Sequence, residues 1–266
     1  MDITEEEVTF AGSDGFELSG FTAHPQDEGQ YPSIMLIHEI WGLNDQIRGV
    51  ARRYAAEGFG VLAPHFFSRY EVCTDANIRA AMGPVFSLPP EKRGDPNALQ
   101  DLMDSMDEGP REVIRILYAE RESMMVKMAD DVKSAHEFLC NSSWVKSDKL
   151  GVTGFCMGGG LAFQIATELP YSAAVIFYGQ NPNPVDVVAS LSGPVFAIYA
   201  GEDARVNAGI PAIIQAMIEN KKTFGMKVYA GMMHGFFNEY SSLHDPDAAA
   251  DAWQLAVAHF NKYLKE

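Results

Sequence analysis

The 266-residue chain reads as an α/β fold with a mostly parallel central sheet flanked by helices and a helical insertion around residues 65–125. Three observations predict this. Short, near-continuous apolar runs such as Ser33–His38 and Gly60–Pro64 suit strands covered on both faces, as in a parallel sheet. Segments with apolar residues at helical spacing alternate with those runs, an order that calls for right-handed crossovers. Between Pro64 and about Met124 the alternation breaks, over a span too long for a plain connection in a compact domain.

In chain order, Val8-Thr9-Phe10 and Phe16–Phe21 alternate around Ser13-Asp14-Gly15, which predicts an opening antiparallel hairpin. A strand over Ser33–His38 follows, then a helix from about Asn44 to Glu57 with Ile47, Val50, Ala51 and Tyr54 inward, stopped by Gly58. Gly60–Pro64 is the next buried strand. In the insertion, helical pieces are expected at Ala98–Met106 and Arg111–Tyr118, punctuated by Gly109-Pro110. Alternation resumes with a helix at about Met128–Cys140, the strand Lys149–Gly154 and a helix opening near Met157. Strands at Ala173–Tyr178 and Pro194–Ala200, a helix near Val206–Glu219 and a strand at Lys227–Ala230 come next. Asp245-Pro246 opens the last helix, a capping acid followed by proline at the first position. No repeat or low-complexity linker interrupts this order, so one domain is expected over 1–266.

The composition narrows the function classes. Asp and Glu number 36 against 20 Lys and Arg, a net charge of -16, and 47% of residues are apolar. Nucleic-acid binding needs a basic face to displace counterions, and docking on anionic lipid needs the same. The charge is uneven: residues 1–30 and 95–131 together account for -14 of it. Cys73, Cys140 and Cys156 lie far apart and cannot all pair, which suits free thiols in a reducing compartment. The start Met-Asp-Ile-Thr-Glu-Glu-Glu shows no signal-peptide pattern, and no run approaches a membrane span, so a cytoplasmic location is expected. The seven histidines form no zinc-type ligand spacing, and neither metal nor cofactor is expected.

The chemistry concentrates in Leu150-Gly-Val-Thr-Gly154-Phe155-Cys156-Met157-Gly158-Gly159-Gly160. A Gly-x-nucleophile-x-Gly sequence between a buried strand and a helix is a nucleophile elbow. The central residue takes strained backbone angles, and its glycine neighbours allow close backbone approach. Here the raised side chain is a thiol, at a helix N-terminus whose dipole favours an anionic sulfur. A buried cysteine packing as a small hydrophobe would give the same local sequence, so the partners decide. Asp203 follows the strand ending at Ala200, and His234 follows the strand ending at Ala230. Nucleophile, acid and histidine then stand in α/β-hydrolase order, each at the carboxyl edge where ligands bind. The loop Leu36-Ile-His38-Glu39-Ile40-Trp41-Gly42 is expected to supply the Ile40 N–H as second oxyanion donor, with Met157 N–H as the first. Glu39 would then sit near the thiol.

Taken together, His-Glu39-x-x-Gly42, Gly-Phe-Cys156-x-Gly-Gly, Gly-x-Asp203 and His234-Gly-Phe resemble the dienelactone hydrolase (carboxymethylenebutenolidase) family of the α/β-hydrolase superfamily. The resemblance spans nearly the whole chain and is weakest over 65–125. It implies a Cys156-His234-Asp203 triad and a Glu39 that helps to activate the thiol when substrate binds. Family members that hydrolyse dienelactone carry an arginine four residues after the triad histidine, to hold the substrate carboxylate. Here that position is Asn238, and Arg111 or Arg115 is the candidate for a second substrate contact.

The expected activity is therefore hydrolysis of a small-molecule ester or lactone by a cysteine nucleophile. An amidase or peptidase could use the same triad, and a non-catalytic binding protein could retain the fold. A glutamine amidotransferase would place a His-x-Glu pair after the elbow, whereas His234 is followed by Gly-Phe. An acidic insertion over the mouth, with Asn238 in place of arginine, leans toward an uncharged substrate. Cys140 is expected to be packed, Cys73 exposed in the insertion, and the methionines around 103–128 to be core or cover.

Overall fold

The computed structural model describes residues 2–89 and 92–266. Eight strands form one sheet: β1 (Ile3–Ala11), β2 (Glu17–Pro25), β3 (Tyr31–Ile37), β4 (Gly60–His65), β5 (Val145–Phe155), β6 (Ala173–Phe177), β7 (Val195–Ala200) and β8 (Phe224–Tyr229). Their order is β1-β2-β4-β3-β5-β6-β7-β8. The hairpin β1-β2 and the β2-β4 pair are antiparallel, and every pair from β4 to β8 is parallel. The apolar runs behave as expected: Ile34 to Ile37 and Ala173 to Phe177 are fully buried, because helices cover both faces.

One face is covered by α1 (Asp45–Ala56) and α9 (Pro246–Phe260), which bury Ile47, Val50, Tyr54, Ala252 and Phe260 against the sheet. Both helices start where the sequence signalled. Asn44 accepts from Ile47 N at 3.2 Å, and Asp245 accepts from Ala248 N at 2.9 Å with Pro246 following.

The opposite face carries the rest. In the insertion these are α2 (Asp75–Ser87), α3 (Pro96–Asp104) and α4 (Glu108–Ile114), the last widening into a π turn over Arg115–Ala119. Then come α5 (Arg121–Asn141), α6 (Met157–Ala166), the single turn α7 (Ala204–Asn207) and α8 (Ile210–Glu219). The insertion packs by Ile78, Met82, Val113 and Ile114 into the same apolar cluster as Met124 and Met128 of α5 and Leu161 of α6. Cys73 is buried there, not exposed as the sequence suggested, because the turn after Tyr70 folds inward ahead of α2. Other element limits differ as well. The helix α2 was not among the pieces named in the insertion, and it carries Pro84 inside it. The helix expected over 128–140 starts at Arg121, and the one expected over 206–219 is interrupted at Ala208-Gly209.

A buried ion pair fastens the hairpin to this second face. Asp131 of α5 is 1% exposed and receives a bidentate pair from Arg69, Nε to Oδ2 at 2.8 Å and Nη2 to Oδ1 at 2.7 Å. The same guanidinium reaches both oxygens of Asp14 in the β1-β2 turn at 3.0 Å. Two parallel N–H···O bonds match the carboxylate fork. Removing the arginine leaves an uncompensated charge that has no access to water. Arg69→Met is expected to cost about 3–5 kcal/mol of unfolding free energy in urea titrations. Asp14→Asn, at the exposed end of the network, should cost far less.

Candidate active site

The strand β5 ends at Phe155 and α6 begins at Met157, so a single residue makes the turn. That residue, Cys156, has φ 55° and ψ -117°, a region that non-glycine residues rarely enter. Two backbone bonds hold it there: Cys156 N donates to Phe177 O at 3.0 Å, and Gly160 N donates to Cys156 O at 3.1 Å. The flanking glycines are required by close approach. A Cβ on Gly154 would lie 2.2 Å from Gly158 O, and one on Gly158 would lie 2.3 Å from His38 O. The half-buried thiol is therefore presented at the carboxyl edge of the sheet by a backbone with no room to relax.

The loops after β7 and β8 bring Asp203 and His234 together. Asp203 is buried, and its Oδ2 accepts a short hydrogen bond from His234 Nδ1. Its Oδ1 caps α7 through Val206 N at 3.3 Å, so one carboxylate both starts a helix and orients the imidazole. The Tyr178 ring packs on His234 with centroids 4.9 Å apart. Burial works against a charge on His234. The adjacent Cys156 sulfur and the Asp203 carboxylate outweigh it and push the imidazole up to about 10.

The loop after β3 carries Glu39, which is 4% exposed. Burial pushes its carboxyl up to about 7, while Asn238 and the charge of His234 work in the opposite direction. His38, fully buried, fixes this loop. Its Nδ1 donates to Glu39 O at 2.7 Å, and its Nε2 accepts from Phe66 N at 3.3 Å. Both ring nitrogens are thereby used by a neutral imidazole, and burial holds its pKa down to about 3. Neither Ile40 N nor Met157 N donates to an acceptor among the described residues. Ile40 follows Glu39 in the loop, Met157 follows Cys156 at the helix start, and both are nearly buried.

The three expected substrate contacts are engaged elsewhere. Arg111 is exposed and donates to Met103 O at 3.0 Å and Met106 O at 2.8 Å, at the end of α3. Arg115 is exposed between Glu112 and Glu120. Asn238 is 5% exposed and donates to Glu39 Oε1. The arginines whose charge reaches the neighbourhood of the thiol are others. Burial pushes the Tyr118 hydroxyl up, Cys156 adds to this, and Arg121, Arg93 and Arg205 oppose it. Tyr118 comes from the π turn, a local irregularity that no spacing in Arg115-Ile-Leu-Tyr118 announces. Tyr178 was missed as well. It directly follows β6, at φ 37°, with its hydroxyl buried and without a partner among the described residues. The described residues contain no cluster of three or more His, Cys, Asp or Glu suited to a metal ion, and no helix long and apolar enough to cross a membrane.

A parallel sheet, a cysteine elbow at its carboxyl edge and a histidine-carboxylate pair beyond it define an α/β-hydrolase. The model of the dienelactone hydrolase family matches residues 18–264, and the chain belongs to that family. It is a hydrolase of a class acting on ester bonds. A protein of Saccharolobus solfataricus, provisionally named as a carboxymethylenebutenolidase, is 42% identical over 261 residues, covering 98% of this chain and 100% of its own. Among solved structures, a provisionally named dienelactone hydrolase from Klebsiella pneumoniae superposes with a TM-score of 0.74 at 23% identity, over 99% of this chain and 100% of that one. A dienelactone hydrolase-like promiscuous phosphotriesterase from metagenomic libraries gives 0.73 at 18% identity, over 99% of each chain. At these identities the two structures are similar in fold.

The position of Glu39 has a consequence for stability. Its folded carboxyl keeps a proton up to about pH 7, whereas the unfolded chain releases it near the ordinary 4.5. The folded state binds more protons in that window, so stability falls as pH rises from about 4.5 to 7 and then levels off. Glu39→Gln is expected to stabilise the protein by up to about 3 kcal/mol at pH 8 and by little at pH 4, measured by denaturant unfolding at both pH values.

Proposed function

We propose that the protein hydrolyses carboxylic esters or lactones with Cys156 as nucleophile, His234 as acid and base, Asp203 as the group orienting His234, and Glu39 as an auxiliary proton acceptor. The observation that carries this reading is the conjunction of the strained Cys156 backbone with the His234-Asp203 hydrogen bond at the same sheet edge. A merely structural cysteine has no need of a φ of 55° beside a histidine held by a buried carboxylate.

In the forward direction the Cys156 proton passes to His234, directly or by way of Glu39, and the sulfur attacks the carbonyl carbon. The carbonyl electrons move to oxygen, which the Met157 and Ile40 N–H groups stabilise. Collapse of the tetrahedral intermediate breaks the C–O bond, the leaving alkoxide takes the proton from His234, and a thioester remains on Cys156. Water, deprotonated by His234, then attacks the thioester and releases the acid and the thiol. Asp203 acts throughout by fixing the ring and its tautomer. A neutral ester or lactone and water balance this sequence without any further reactant.

The direct test is turnover of an activated aryl ester by wild type and Cys156→Ala, together with iodoacetamide labelling. Burial pushes the Cys73 thiol up to about 11 and raises that of Cys140, so Cys156 should be alkylated first. The substitution is expected to remove about a thousandfold of kcat or more. Wild-type turnover no faster than that of the variant, with labelling shared equally among the three cysteines, would overturn the proposal.

A further inference from the structure

Asn238 is fixed more completely than a substrate contact on a loop would be. Gly235, at φ 86°, turns the chain after His234, and Asn238 N closes that turn on Gly235 O at 3.0 Å. On the two sides of Asn238, Gln46 of α1 grips the backbone: its Nε2 donates to Phe237 O at 3.4 Å and its Oε1 accepts from Glu239 N at 3.3 Å. The side-chain amide is then set by its own oxygen. Asn238 Oδ1 accepts from Tyr240 N at 2.9 Å, which leaves Nδ2 pointing at Glu39 Oε1 and donating to it. One loop thus carries both the triad histidine and the donor to Glu39.

Glu39 is buried, and among the described residues no lysine or arginine lines the small pocket beside it. That pocket is lined by Gln46, Ile47, Val50, Phe155, Tyr178 and Asn238. The face from α1 brings Gln46, Ile47 and Val50. The end of β5 brings Phe155 and the Cys156 that follows it. The segment after β6 brings Tyr178, and the loop after β8 brings His234 and Asn238. Among the described residues here, Cys156, Tyr178 and His234 carry ionisable side chains, and the hydrogen bond on the Glu39 carboxylate comes from an uncharged amide.

We propose that Asn238 is the positioning residue for Glu39: its amide holds the carboxylate at the site through an uncharged bond, so that activation of the thiol requires no carboxylate on the substrate. An arginine at this position would bind Glu39 as an ion pair in a site closed to water. Freeing Glu39 would then need a competing anion, supplied by the substrate. An amide brings no net charge, stabilises the ionised carboxylate by one hydrogen bond, and lets it exchange a proton with the site without such a competitor. The inference rests on the reading of Glu39 as proton acceptor for Cys156.

The experiment records kcat/KM against pH for a neutral aryl acetate, and in parallel the rate at which iodoacetamide alkylates Cys156. Wild type, Glu39→Gln, Asn238→Leu, Asn238→Gln and Asn238→Arg are compared. The wild-type profile is expected to carry an inflection near neutrality that Glu39→Gln abolishes. Asn238→Leu should move that inflection upward by about one pH unit, a roughly tenfold loss on the acid side, with KM nearly unchanged. Asn238→Gln, which keeps a donor, should restore the wild-type position. Asn238→Arg should slow the neutral ester by about tenfold or more, with added acetate recovering part of the rate while leaving wild type unaffected. Two results overturn the inference: an inflection unmoved in Asn238→Leu while activity falls equally at every pH, or an Asn238→Arg variant as fast as wild type on the neutral ester. A profile that Glu39→Gln leaves unchanged would instead remove the role given to Glu39, an outcome distinct from both.

Discussion

The backbone of Cys156 is the constraint on which the site depends. A residue at φ 55° costs of order 1–3 kcal/mol and persists only where its surroundings over-determine it. Here they do so on both sides, through Phe177 O from β6 and Gly160 N from α6. The geometry that presents the thiol is therefore a by-product of strand pairing and helix formation, two cooperative structures that bury apolar residues throughout. Little of the site's precision is left to loops. What the loops must supply is the second group, and both residues stand close to a strand end. Asp203 stands three residues past β7, and His234 five past β8, so the sheet register that aligns β7 with β8 also brings Asp203 to His234.

Burial then sets the electrostatic behaviour of the three ionisable groups that matter, in different directions. His38 loses its charge to burial and becomes a neutral clasp between two strand ends. Glu39, one residue on, is equally enclosed but retains the ability to titrate near neutrality, because Asn238 and His234 partly offset the loss of water. His234 is enclosed too, yet the sulfur and Asp203 leave it favouring the charged form. Neighbouring residues of one loop thus end in different electrostatic states, and the difference lies in their hydrogen-bond partners.

The fold, and the sheet edge at which Cys156, Asp203 and His234 gather, were legible in the sequence because each leaves a local imprint. Buried strands read as apolar runs, helix starts as Asn44 and Asp245-Pro246, and the elbow as glycines whose absent Cβ atoms are demanded by contacts of 2.2 and 2.3 Å. The insertion was less legible. The helix α2, not named from the sequence, carries Pro84 inside it and is held by packing of Ile78, Met82 and Val85 into a shared core. Tyr118 depends on a π turn, and Tyr178 on a positive φ that a bulky residue seldom adopts. Neither leaves a mark in spacing. Asn238 was placed at the right loop position, but its partner could not be read. That partner lies 199 residues away, and the direction of the amide is decided by Tyr240 N and Gln46, contacts that only the folded chain creates.

The acidity of the chain is the last element to need its place. A net charge of -16 concentrated near the N-terminus and in 95–131 suggested a mouth that repels anions, but several of those acids are paired with bases. Glu5 and Glu7 of β1 pair with Arg52 and Arg48 of α1, Asp14 and Asp131 share Arg69, and Glu112 and Glu120 enclose Arg115. Exposed pairs of this kind are screened within about 10 Å in ordinary salt and leave little field at a distance. Near the thiol, the charges that act on Tyr118 are those of Arg93, Arg121 and Arg205. A count over the sequence therefore says little about the field that a substrate meets. The charges around Tyr118 and the uncharged amide beside Glu39 are separate features, and each is set by a few residues that the folded chain brings together.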